Sequence, residues 1–155
     1  MRRTGQPPRR DVRYRHRPGV YALMPRGGAL LVAAATDRPG WFLLPGGGVD
    51  PGESPLAALH REVMEETGWR LARPRRLGSY RRFTWMPDYG IWGEKVCHVF
   101  LARPVRAVAA PTEPLQGPAW LPLSAAPDTL AVDGERHFAA RLVALARSRP
   151  SILSP

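Results

Sequence analysis

One cysteine and one lysine are all that these 155 residues contain of either type. The lone Cys97 excludes an internal disulfide, and its apolar setting, "KVCHVFLA", reads as a small buried thiol and not as a nucleophile. No apolar run approaches the roughly 18 residues of a membrane span. The N-terminus, "MRRTGQPPRRDVRYRHR", has no apolar stretch behind its basic residues to act as a signal. The chain therefore reads as soluble and cytoplasmic, without a membrane partner. Repeats and low-complexity segments are missing too, so one domain is expected, and 44% hydrophobic residues are enough to close its core.

The chain is strongly basic despite its single lysine, carrying a formal charge of +10 through twenty-two arginines. Such a surface gathers polyanions, which makes a nucleic-acid-binding module one reading. The company of eighteen prolines and abundant alanine points instead to a coding bias toward arginine. Arginine forks also suit the phosphates of a small substrate.

Residues 1–13 hold little to bury and are expected to form a flexible basic tail, with the domain over 14–150 and a short C-terminal tail over 151–155. "GVYALMPRGGALLVAAA" reads as a hairpin turning at Arg26-Gly27-Gly28, and "GWFLLP" as a further strand. Ser54-Pro55 and Gly68 bracket a helix, with Leu56, Leu59, Val63 and Thr67 toward a core. "RRLGSYRRFTW" and "EKVCHVFLARPV" predict two strands joined by a turn-rich loop, "MPDYGIWG". A Pro-rich loop then leads to a short strand at Trp120-Leu121, and a second amphipathic helix turns Phe138, Leu142 and Leu145 inward. Strands interleaved with two helices suggest a mixed sheet covered on both faces.

Against the basic background, Glu53, Glu62, Glu65 and Glu66 crowd into fourteen positions. The last three stand at i, i+3 and i+4 and share one helix face, where like charges cost a few tenths of a kcal/mol per pair. A solvated acidic face, with Arg61 as a simple partner of Glu65, is the plain explanation. The alternative is a set of hard oxygen ligands for Mg²⁺ or Mn²⁺, which take carboxylates together with water and substrate phosphates. Gly46, Gly47 and Gly48 lie just upstream, where a backbone without Cβ can approach a phosphate chain closely.

Gly47, five residues, Glu53, seven residues and then Arg61-Glu62-Val63-Met64-Glu65-Glu66-Thr67-Gly68-Trp69 resemble the signature of the Nudix hydrolases. Only Trp69 departs, where the family commonly has an aliphatic residue. The resemblance implies an α+β fold, an α/β/α sandwich around a mixed sheet. It makes Glu62, Glu65 and Glu66 metal ligands, with Glu65 also counted among the catalytic residues, and pairs Arg61 with Glu53. It further implies Mg²⁺-dependent hydrolysis of a nucleoside diphosphate linked to another group. A catalytically silent nucleotide sensor on the same fold is the rival within that resemblance.

The general base is left between Glu53, Glu113 in the Pro-rich loop and, more weakly, Glu94. For the substrate, Arg81 and Arg82 are candidates to hold phosphates, and Trp85, Tyr89 and Trp92 to stack on a base; core packing is the alternative for the tryptophans. The implied partner is a small nucleotide and not a nucleic-acid polymer, and a homodimer is compatible with such a chain.

Overall fold

The computed structural model describes residues 1–148. The expected C-terminal tail lies outside them. In chain order the elements are β1 (Arg2–Arg3), β2 (Arg15–Arg26), β3 (Ala29–Ala35), β4 (Phe42–Leu43), β5 (Gly46–Gly48), α1 (Pro55–Thr67), β6 (Trp69–Met86), β7 (Ile91–Ala107), β8 (Gln116–Pro122), α2 (Ala126–Thr129) and α3 (Asp133–Ser148). The sheet runs β1-β6-β7-β2-β3-β4, with β5 added on β2 and β8 on β3. It is mixed, because β2 runs parallel to β7 from Arg15 to Leu23 while β6 and β7 form an antiparallel hairpin.

Side chains alternate across a strand, so each central strand feeds two layers. Val20, Ala22 and Met24 of β2 join Phe100 and Ala102 of β7 under Ala58, Leu59 and Val63 of α1. Tyr21 and Leu23 of β2 face the other way with Tyr80, Cys97 and Val99, against Phe138, Ala139 and Leu142 of α3. Each leucine fully enclosed in this way contributes about 1.5–3 kcal/mol relative to exposure. The result is an α/β/α sandwich around a mixed sheet.

Helix α1 has the expected limits. Ser54 Oγ accepts the Ala57 N–H at 3.2 Å, and Gly68 closes the helix in the left-handed region at φ 70°. A Cβ at Gly68 would also collide with the Ala109 carbonyl. Leu56, expected to face the core, is 47% exposed; Ala58 takes the buried place beside Leu59. Likewise Phe138 and Leu142 are enclosed, whereas Leu145, a turn farther along α3, is 41% exposed.

The expected loop "MPDYGIWG" shrinks to a single 3-10 turn at Pro87–Tyr89, because Trp85 pairs with Trp92 and Met86 with Ile91. The strand expected at Trp120-Leu121 extends over Gln116–Pro122 beside β3. The basic N-terminal segment, read as a flexible tail, has Arg2–Arg3 paired with Tyr80 and Arg81 on the edge of β6, although both side chains are exposed. Trp69, the departure from the signature, meets Trp120 edge-on at 5.4 Å, and the Arg26 guanidinium lies 4.6 and 4.9 Å from the two rings.

Candidate active site

Strand β5 is three glycines, and their lack of side chains lets α1 press its acidic face against the strand. A Cβ at Gly47 would collide with the Glu62 carboxylate, and one at Gly46, whose φ is +147°, with the Val20 carbonyl. Glu66, only 6% exposed, accepts the Gly46 N–H at 2.9 Å. Burial pushes its carboxyl up to about 8, opposed by the Gly46 hydrogen bond and reinforced by the charge of Glu62. Glu62 is also raised by burial, against the lowering effect of Arg61.

Arg61 holds the rest of the acidic face together. Its Nε and Nη2 donate to the two oxygens of Glu53 at 2.9 and 2.8 Å. Its Nη1 donates to Glu62 at 2.9 Å and to Glu65 at 3.2 Å, and Nη2 also reaches the Gly48 carbonyl at 3.0 Å. Glu53 additionally accepts the Asp50 N–H at 3.1 Å. The Arg61 fork, with that N–H, holds the Glu53 carboxyl below its ordinary value.

The Pro-rich loop is tied to the C-terminal end of α1, where the N–H groups of Thr112 and Glu113 both donate to the Glu65 carbonyl, at 2.8 and 3.0 Å. Glu113 is thereby brought to the glutamates that the sequence places far from it. A cleft of about 430 Å³ is lined by Gly46, Gly47, Gly48, Glu62, Glu65, Glu66 and Glu113, and continues to Arg82 and Tyr89.

Other expected residues lie elsewhere. Glu53 is turned to Arg61 and does not line the cleft. Arg81 is paired with Glu94 at 3.0 Å, and neither lines the cleft. Trp85 and Trp92, with rings 5.6 Å apart, belong to a separate depression with Arg13, Tyr14 and His16. Strand alternation explains this, since Arg81 and Trp85 point to the opposite side of β6 from Arg82 and Met86. Accordingly, Tyr89→Ala should raise KM for a nucleotide substrate about tenfold, the loss of one stacking contact. Trp85→Ala should leave KM within about twofold, and steady-state kinetics on the two folded variants checks the contrast.

Sequence reading missed several lining residues: Arg17, Tyr21, Lys95, Gln116 and Glu135. Glu135 is 1% exposed, accepts the Leu44 N–H at 2.9 Å, and is pushed up to about 7 by burial, opposed by that hydrogen bond. A signal for it exists, because Glu135 occupies the first place of the buried stripe Glu135, Phe138, Ala139, Leu142. Lys95, the chain's one lysine, donates to the Tyr21 hydroxyl at 3.0 Å.

The donor chemistry of the acidic wall fits a hard divalent cation: carboxylates crowded on one helix face, two of them raised by burial, with one arginine to offset them. As they stand, no three His, Cys, Asp or Glu side chains among the described residues form a metal cluster. Arg61 bridges Glu62 and Glu65 instead.

The family model for the NUDIX domain matches residues 14–142. An RNA pyrophosphohydrolase of Helicobacter pylori (strain ATCC 700392 / 26695) is 41% identical over 59 residues, 35% of this chain and 38% of that protein. The CMP-5'-(N-acetyl-N-hydroxy-3-aminopropyl)phosphonate hydrolase of Streptomyces rubellomurinus is 37% identical over 97 residues, 61% of this chain and 44% of that protein. The chain thus spans less than half the length of these curated relatives. Among solved structures, a MutT protein from Methanosarcina mazei Go1 superposes with a TM-score of 0.66 at 25% identity, covering 87% of this chain and 98% of that one. With the family model spanning most of the sequence and a matching sandwich beneath it, this chain belongs to the NUDIX family.

Proposed function

We propose that the protein is a divalent-metal-dependent pyrophosphohydrolase that cleaves a nucleoside diphosphate linked to another moiety, by attack of water on phosphorus. The observation that carries this reading is the joining of Glu62, Glu65, Glu66 and Glu113 in one cleft over a strand of bare glycines. Nucleoside triphosphates, oxidised nucleotides, ADP-ribose and dinucleoside polyphosphates all present the required anhydride.

Glu62, Glu65 and Glu66 would hold Mg²⁺, or Mn²⁺ in its place. Such an ion supplies charge neutralisation on the phosphoryl oxygens and a lowered pKa for bound water. The protein does the rest. Gly46 fixes Glu66 through its N–H, Gly47 lets the Glu62 carboxylate sit against the strand, and Gly48 has open space beside it. Arg61 and Glu53 brace each other and set the position of Glu62 and Glu65, which makes them positioning residues. Of the candidate bases, Glu113 lines the cleft without an ion pair among the described residues, whereas Glu53 and Glu94 are each committed to an arginine. Glu113 is therefore assigned the proton of the attacking water.

The test is a panel of these nucleotides, incubated with Mg²⁺ or Mn²⁺ and with excess EDTA, and product analysis. Hydrolysis of at least one with metal, and none with EDTA, is expected. Full turnover in EDTA, or no hydrolysis beside tight nucleotide binding, would overturn the reading, the second outcome favouring a sensor.

A further inference from the structure

The cleft has a basic wall as well as an acidic one. Arg17 of β2 is the direct cross-strand partner of Lys95 of β7, and Lys95 is the direct partner of Arg82 of β6. Three cations thus stand in one row across three adjacent strands, on the face that carries Tyr21, and all three line the cleft. In the antiparallel β6-β7 pair, directly opposed side chains such as Arg82 and Lys95 begin about 4.5–5.5 Å apart, and like charges there are destabilising.

Among the described residues no ion pair offsets this row, and the buried Glu135 acts on Arg82 and Lys95 only through its charge. Among the described residues the ion pairs of the region engage Arg61 and Arg81 and none of these three. Lys95 has only the neutral Tyr21 hydroxyl, and the Arg17 guanidinium lies over the Tyr89 ring at 4.4 Å. Arg82 Nε is buried with no hydrogen-bond partner among the described residues, a costly state for a charged donor. Lys95 is lowered by burial and by the charges of Arg82 and Arg17, against the raising effect of Glu135, which places the cations within reach of one another. The two buried acids of the cleft each have an oxygen committed to a backbone N–H, Glu135 to that of Leu44 and Glu66 to that of Gly46.

An arrangement of unpaired, partly desolvated donors is completed by an anionic ligand rich in acceptors. A base edge is neutral and would leave the repulsion in place, whereas a phosphoryl group answers both the charge and the donor count. We propose that Arg17, Lys95 and Arg82 form a second anion subsite, which holds a phosphoryl group of the substrate other than the pyrophosphate at the glutamate wall. The inference rests on the pyrophosphohydrolase reading and narrows it to substrates with a further phosphate beyond the scissile anhydride.

The experiment measures binding of inorganic phosphate, AMP and adenosine in excess EDTA, so that no metal at the glutamates assists, on wild type, Lys95→Met, Arg82→Met and Arg17→Gln. Phosphate and AMP should bind wild type and adenosine should not, with Kd rising at least tenfold in Lys95→Met and Arg82→Met. The ligand-free Lys95→Met protein should melt no lower than wild type, since a repelled cation is removed. Arg17→Gln, at a half-buried position, provides a further variant should Arg82→Met not fold. With Mg²⁺, phosphate should compete with the best substrate of the panel. Adenosine binding as well as AMP, phosphate affinity unchanged in every folded variant, or binding without competition would overturn the subsite. Wild type that binds phosphate in this manner yet hydrolyses nothing would overturn the pyrophosphohydrolase reading instead.

Discussion

Glu66→Gln should lower kcat at least about a hundredfold, a loss of about 2.7 kcal/mol of transition-state stabilisation, while the protein stays folded. The buried carboxylate is replaced by an isostere whose carbonyl oxygen can still accept the Gly46 N–H, so the brace between α1 and β5 survives. What is lost is the negative charge that the proposed metal site requires. Because that charge is buried and faces Glu62, its removal also relieves repulsion. Without metal the variant should therefore melt at or above the wild-type temperature near pH 8. A large drop in melting temperature would show Glu66 to be structural, and activity near that of wild type would remove it from the metal site.

The second large effect is a fall in the stability of the metal-free protein as pH rises. Glu66 and Glu135, at about 8 and about 7, lie above the ordinary carboxyl value of 4.5. Between the unfolded and folded values the native protein keeps protons that the unfolded chain has released. Their contribution is complete below about pH 4.5 and is lost as pH rises through 7 and 8. Together they should lower stability by a few kcal/mol between pH 5 and 9, on the order of 5–10 °C in melting temperature for a domain of this size. Glu66→Gln should flatten the profile, and Mg²⁺ should raise the wild-type value most at the alkaline end. Melting curves in EDTA with the same slope for wild type and Glu66→Gln would contradict the assignment.

Local signals account for the parts of the molecule that could be read from the chain. Ser54-Pro55 and Gly68 mark α1 because caps depend on neighbouring residues alone, and the glycine pair at 27 and 28 marks its hairpin for the same reason. Leu56 was misread because helical periodicity shows which residues share a face and not how far the sheet beneath extends. The β6-β7 hairpin outran its expected ends because Ile91 and Trp92, counted with the turn, pair well across strands. The acidic wall was legible, since its members are neighbours on one helix. The basic row was not, because Arg17, Lys95 and Arg82 meet only through the register of three strands distant in sequence. Strand alternation likewise separated Arg82 from Arg81, while Tyr89 parts from the two tryptophans because it sits in the 3-10 turn beyond their strand pair. Glu113 joined the site through hydrogen bonds from a loop whose path no local pattern dictates.

The central claim is that the glutamates of α1 hold divalent cations, and binding of Mn²⁺ followed by electron paramagnetic resonance tests it without relying on turnover. Wild type should bind Mn²⁺ at neutral pH, more tightly in the presence of a non-hydrolysable nucleotide diphosphate analogue, and Glu62→Gln and Glu66→Gln should each weaken binding at least tenfold. Equal Mn²⁺ affinity in wild type and both folded variants would contradict the account.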